Sequence, residues 1–305
     1  MATAQDSEEA TATPGDDARS PGAADAESAD LTMKREDTAP PPARSRRRIH
    51  VPSLVLCAVP VLFLAIMGWY QRWVSDDGWI NIRVVEQFMA GNGPVYNTGE
   101  RVEVTTSTLW FWILLLGQLV APGLAPEVWG ASTGVVLTVT GLVLAMLGAR
   151  RLFALRRPTL YLPVGAVVVA AIPPMWDFAS SGLETGLGFC WLGLCFWMLA
   201  GRVASLEAGG ARRAAWSPVF PAIVIGLGPL VRPDFALYSA LFALALLASS
   251  RLKWWDWLVC LGLALAIPGA YQIFRMGYFA LLVPNTALAK DASNARWGDG
   301  WNYLY

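Results

Sequence analysis

Two adjacent carboxylates, Asp76 and Asp77, follow a long apolar run and open a loop of mixed polarity. Side by side they could divide labour, one taking a proton from a substrate hydroxyl while the other holds a divalent metal ion, a substrate hydroxyl or Arg83. The simpler reading is a helix cap with a favourable dipole contact, worth about 0.5–2 kcal/mol. One aspartate would suffice for that, and both readings stand at this level. Glu184, in Ser180-Ser181-Gly182-Leu183-Glu184-Thr185, is either a solvated cap of the apolar run behind it or a partnered carboxylate facing a cavity. Arg232 and Asp234 flank Pro233 in a tight turn, where they form a mutual ion pair or leave Arg232 to bind a phosphate. Lys290, behind Pro284-Asn285-Thr286, is a second candidate cation for an anion, although a lysine at a membrane edge commonly snorkels. Asn285, Arg101 and Glu103 are polar enough to contact a substrate or to serve loop structure alone.

What is missing narrows the chemistry. His50 is the single histidine and sits beside the basic cluster Arg44, Arg46, Arg47, Arg48, so a histidine base or multi-histidine metal site is excluded and acid–base work falls to carboxylates. Cys57, Cys190, Cys195 and Cys260 all lie in apolar segments and read as structural thiols. A net charge of +0 conceals an acidic tail offset by basic loops, without the basic face of a nucleic-acid binder.

The elements that must position these groups are membrane helices, because 55% of the 305 residues are hydrophobic and few charges remain beyond the tail. Residues 1–48 carry almost no large apolar side chains and are expected to form a disordered cytoplasmic tail. The first apolar run is too long for a signal peptide and is expected to stay attached. Seven segments can span: Val51–Gln71, Val128–Arg150, Leu160–Trp176, Leu183–Gly201, Pro218–Val231, Phe235–Ser250 and Trp255–Phe274. Leu109–Val120 is short for a span. Were it to cross, the loops bearing Arg150, Arg151, Arg156 and Arg157, then Arg202, Arg212 and Arg213, then Arg251 and Lys253, would all face outward, against the positive-inside rule. It is therefore expected to lie flat at the outer interface with Trp110 and Trp112 as anchors.

That orientation sends Asp76, Asp77, Glu86, Glu100, Glu103, Asp177, Glu184, Asp234 and Asp291 to the outer face and leaves only Glu207 and Asp256 inside beyond residue 50. Acidic residues steer insertion weakly, so the asymmetry points to chemistry on the outer face. The segment from Ser75 to Trp110 reads as helix, loop, helix. Asp76 or Asp77 caps the first, Gly91-Asn92-Gly93-Pro94 stops it, and Thr105–Thr108 caps the second.

The order of these parts, Asp-Asp after the first span, then Gly-Trp-Ile-Asn-Ile-Arg, then GNGPVYNTGERVEVTTSTLW, resembles the C superfamily of membrane glycosyltransferases that use polyprenyl-phosphate sugars. Asp77-x-Trp79-x-Asn81-x-Arg83 also looks like the pattern around the acidic residue of oligosaccharyltransferase catalytic subunits. More narrowly, Arg72 to Trp301 is similar to the mycobacterial-type terminal β-(1→2)-arabinofuranosyltransferases, including SSGLETG, RPD at Arg232–Asp234 and VPNTALAK at Val283–Lys290. The resemblance implies an all-α polytopic membrane protein with two juxtamembrane helices in the loop 72–127. It also implies further spans and a soluble outer C-terminal domain that are absent from this chain. The implied reaction moves arabinofuranose from decaprenyl-phosphoryl-arabinofuranose to the ends of arabinan in arabinogalactan or lipoarabinomannan, at the outer face of a bacterial plasma membrane.

On that reading Asp77 or Asp76 activates the acceptor, Arg232 or Lys290 meets the donor phosphate, and Arg83, Glu103, Glu184, Asp234 and Asn285 contribute to substrate binding. A divalent metal at Asp76 and Asp77 is an open option, and no soluble cofactor is implied. The rival classes are a transporter or flippase of lipid-linked precursors and a non-catalytic scaffold. A transporter should show charges near the bilayer midplane and internal repeats, neither of which is evident. A scaffold predicts that the acidic pair can be neutralised without loss.

Overall fold

A computed structural model describes residues 51–153, 161–207, 218–249, 253–289 and 297–305. The tail at 1–48 and the candidate Lys290 lie outside the described residues, as do Asp291 and the basic loop residues from Arg156 to Arg157 and Arg212 to Arg213. The described chain is helical, without strands, and is that of an all-α polytopic membrane protein. Its helices are α1 (Val51–Tyr70), α2 (Asp76–Met89), α3 (Thr108–Val120), α4 (Pro126–Phe153), α5 (Val164–Ala171), α6 (Pro173–Asp177), α7 (Thr185–Glu207), α8 (Val219–Gly226), α9 (Gly228–Val231), α10 (Ala236–Ala248), α11 (Trp254–Phe279), α12 (Asn285–Ala289) and α13 (Trp297–Leu304).

Four helices, α1, α4, α7 and α11, are each long and apolar enough to cross a membrane alone. Three other expected spans are shorter or broken. The stretch expected over Leu160–Trp176 is split at Ile172, because Pro173 and Pro174 cannot continue the hydrogen-bond ladder of α5. Pro229 similarly separates α8 from the short α9, and α10 holds 13 residues.

The tightest helix pair is α4 with α7, and its geometry follows from glycine spacing. Gly134, Gly141 and Gly148 recur every seven residues on α4, as do Gly186 and Gly193 on α7. A methyl group at Gly186 would strike the Gly134 carbonyl, and one at Gly193 the Gly141 carbonyl. The backbones therefore touch directly, in register, with the two helices running parallel. Parallel neighbours require a return crossing between them, and residues 161–177 supply it. At one end the Tyr161 amide donates to Ser53 Oγ at 3.0 Å; at the other, the Trp73 indole N–H donates to the Asp177 carbonyl at 3.1 Å. Leucine at Gly193 is expected to force the pair apart at a cost of about 1–3 kcal/mol. The check is a lowered melting temperature in detergent, with the exposed Gly123→Leu as control.

α3 stays at one end of the bundle. Its start is held by the Trp110 indole N–H donating to the Gly182 carbonyl at 2.9 Å, and its later turns pack on Trp129, whose indole N–H donates to the Ile113 carbonyl at 3.3 Å. Both partners belong to the end where α4 and α7 begin. Trp110 is completely buried in the main apolar cluster, with Phe111, Leu114, Trp191 and Ile225, and does not serve as an interfacial anchor. Trp112 is half exposed.

Candidate active site

The start of α2 is built by Ser75, not by the aspartates. Ser75 Oγ accepts from the Gly78 amide at 3.0 Å, and the Ser75 amide donates to the Ser181 carbonyl at 2.9 Å. Gly78 is obligatory here, since any side chain would meet the Ser181 carbonyl, Val74 and Gly182. The first turn of α2 is thereby pressed onto the Ser180-Ser181-Gly182 loop. Gly182 makes the bend with φ of +78°, a conformation that costs glycine little. With the cap role filled by Ser75, Asp76 and Asp77 both sit exposed in the first turn, where the helix dipole favours their charge.

Two residues beyond that loop, Glu184 is 7% exposed. Its Oε1 accepts from Arg232 Nη1 at 3.0 Å, and Arg232 Nε donates to the two Asp234 oxygens at 3.0 and 3.3 Å. Asp77 lies near enough for its charge to act on Glu184. Glu184, Arg232 and Asp234 thus meet from two separate parts of the chain, with Asp77, from a third, within electrostatic reach of Glu184. Ser180, fully buried beside them, has an Oγ without a hydrogen-bond partner.

Burial pushes the Glu184 carboxyl above the ordinary glutamate range; a backbone N–H and Arg232 oppose the shift, while Asp234 and Asp77 add to it. The Arg232 pair thus tempers the cost of burying Glu184 without cancelling it. A carboxyl with a raised folded pKa binds more protons folded than unfolded, so stability falls as pH rises from the unfolded carboxyl range through the raised one. Glu184→Gln is expected to flatten that slope. Melting temperatures between about pH 4 and pH 7 in detergent would report it.

The other sequence candidates go elsewhere. Arg83 pairs with Glu86 at 3.5 Å, one turn along an exposed face of α2. Asp76 is seven residues before Arg83, which puts it on that same face and leaves Asp77 on the side of the cluster. Asn285 opens α12, and its Oδ1 and the neighbouring Thr286 Oγ1 are buried without hydrogen-bond partners. Among the described residues no group of three or more His, Cys, Asp or Glu side chains is arranged to hold a metal ion. A divalent ion at the doublet would draw its remaining ligands from water or substrate oxygens.

Glu103 forms a second site of its own. It is 1% exposed, with Oε1 accepting from the Tyr271 hydroxyl at 2.6 Å and Oε2 from Arg275 Nε at 2.7 Å. Arg275 fell beyond the expected last span, which ended at Phe274, whereas α11 continues to Phe279; Tyr271 lay inside that span as one more member of an apolar run. An arginine on an apolar helix was the available signal, since such a charge demands a partner.

The chain is 45% identical over 255 residues, 82% of its length, to the terminal β-(1→2)-arabinofuranosyltransferase of Mycobacterium tuberculosis. It is 40% identical over 261 residues, 80% of its length, to the protein of the same name from Corynebacterium glutamicum. The chain matches the N-terminal part of these terminal β-(1→2)-arabinofuranosyltransferases. It covers 40% and 37% of the two relatives, well under half of either. No family model and no solved structure matches the chain.

Proposed function

We propose that the chain is the N-terminal membrane part of a glycosyltransferase that moves arabinofuranose from a polyprenyl-phosphate carrier, decaprenyl in the narrowest reading, to the ends of cell-wall arabinan. The observation that carries the reading is the Glu184, Arg232 and Asp234 cluster, with Asp77 in electrostatic reach, in a chain 45% and 40% identical to the N-terminal parts of two proteins named as arabinofuranosyltransferases. A site of this make-up has the parts such a transfer needs.

In the reaction the bond between the sugar's anomeric carbon and the phosphate oxygen breaks, and its electrons leave on the phosphate. The acceptor oxygen bonds to the same carbon and loses its proton to Asp77. Arg232 meets the phosphate. Two of its nitrogens are engaged by Glu184 and Asp234, which fix the plane of the guanidinium, and the remaining N–H groups serve the developing negative charge. Glu184 acts as a positioning residue for Arg232. The active site faces the outer side of the plasma membrane in this reading, with the N-terminus in the cytoplasm.

The test is transfer of labelled arabinofuranose from a synthetic polyprenyl-phosphate donor to a short arabinan by the full-length protein in membranes. Product that depends on the protein is expected. Movement of the intact lipid-linked sugar across the bilayer without product would replace the reading by transport.

A further inference from the structure

A cavity of about 310 Å³ lies between the far end of α2, the start of α3 and the last turns of α11. It is separate from the carboxylate cluster and adjoins the Glu103 site through Tyr271, which lines it. One wall is Phe88, Phe111 and Trp112, in mutual edge-to-face contact with ring centroids 5.2–5.9 Å apart. The opposite wall is Phe274 and Tyr278, stacked at 5.3 Å and 15°. Thr105 and the backbone at Gly93 border it, and the Arg101 guanidinium lies 5.0 Å over the Tyr278 ring. The two walls come from segments more than 150 residues apart, and the Glu103 bonds to Tyr271 and Arg275 hold them at a set separation.

We propose that this cavity binds a sugar ring of the acceptor glycan, several residues back from the end that receives the transferred sugar. The proposal rests on the glycosyltransferase reading given above. Phe88 is eleven residues beyond Asp77 on the same helix, about 16 Å at the rise of an α-helix. A ring seated there is too far from Asp77 to react, and it lies within reach of a chain whose end does. Two aromatic walls suit the C–H faces of a sugar, which are slightly positive against the negative faces of the rings. The hydroxyls of Thr105 and Tyr278 suit its polar edge, as does the nearby Arg101. An isoprenoid tail would match the rings and leave those polar groups desolvated and unpaired. The rim is built from the loop residues Gly93, Pro94 and Thr105, which is where a glycan arriving from water would enter.

The test compares acceptors of two lengths, a linear arabinan hexasaccharide and a disaccharide, on the full-length protein and its Trp112→Ala and Tyr278→Ala forms. The wild type is expected to show a lower KM for the hexasaccharide, and the variants to lose about tenfold of that preference, with the effect on KM rather than kcat. Saturation-transfer NMR with the hexasaccharide alone, without donor, should show contact to internal rings in the wild type and its loss in Trp112→Ala. If both acceptors suffer equally, or the variants simply melt lower with the length preference intact, the cavity is packing and the proposal falls. If the variants instead change the dependence on prenyl length of the donor, the occupant is the lipid and the proposal falls. Internal-ring contact by NMR with no transfer by the wild type would sink the proposed reaction and leave the sugar site standing.

Discussion

Asp77→Asn is expected to lower kcat for sugar transfer by about 10²- to 10⁴-fold, the usual loss when a positioned general base is removed. The asparagine is nearly isosteric, keeps the first turn of α2 and cannot take the acceptor proton. Because Ser75 caps the helix, the fold should tolerate the change. Donor binding at Arg232 should survive, since Asp77 influences that group only through its charge at Glu184. Asp76→Asn is the matched comparison. It removes the same charge from the next residue, on the face shared with Arg83, and is expected to have a much smaller effect. Steady-state transfer rates of the two variants, beside donor affinity and melting temperature, make the check. Equal loss in both would show that charge at the helix start matters rather than a base at one position. Wild-type rates in both would remove the doublet from the chemistry.

The second large effect is expected at the buried pair of Glu103 and Arg275. Glu103→Ala leaves the Arg275 guanidinium, whose side chain is only 12% exposed, without its carboxylate and strands the Tyr271 hydroxyl as well. Removing one partner of a buried ion pair costs about 3–5 kcal/mol, far more than an exposed pair is worth. The exposed pair of Arg83 and Glu86 supplies the contrast, and Arg83→Ala should change stability by about 1 kcal/mol or less. Replacing both members by methionine, as Glu103→Met with Arg275→Met, should recover much of the loss by exchanging charge for packing. Thermal unfolding in detergent would order the four proteins. A double variant as unstable as Glu103→Ala would mean that shape, not charge, holds the loop between α2 and α3 to α11.

Several residues of the candidate site were legible before the fold because their chemistry contradicts their surroundings. Carboxylates and arginines at the ends of apolar runs need partners, and Asp77, Glu184, Arg232 and Asp234 stand out for that reason alone. Their mutual arrangement was not legible. Glu184 and Arg232 are 48 residues apart, and only the return crossing by α8 and α9 closes that distance to 3.0 Å. The capping role assigned to the aspartates belongs to Ser75, one residue earlier, because a β-region backbone at that position points its hydroxyl at the Gly78 amide.

Trp110 is the sharpest difference between pattern and structure. A tryptophan at the start of a short apolar helix reads as an interfacial anchor, since its amphipathic ring suits a boundary. Its indole N–H instead finds the carbonyl of Gly182, and the ring fills the core between α3 and α7. Composition cannot separate the two outcomes, because both satisfy the same polar tip and the same apolar body.

The sequence by itself determined that the chain is an all-α membrane protein, that it holds a single histidine and so points any acid–base work to carboxylates, and which of its charges stand out against an apolar background. Those properties depend on side-chain type and local spacing, which transfer free energies and helix periodicity act on directly. The tertiary structure decided which charges meet. It put Asp77 within electrostatic reach of Glu184, closed Glu184 on Arg232, and joined Glu103 to Arg275 across 172 residues. Such pairings follow from how distant helices pack against one another, a long-range result that no local window of residues contains.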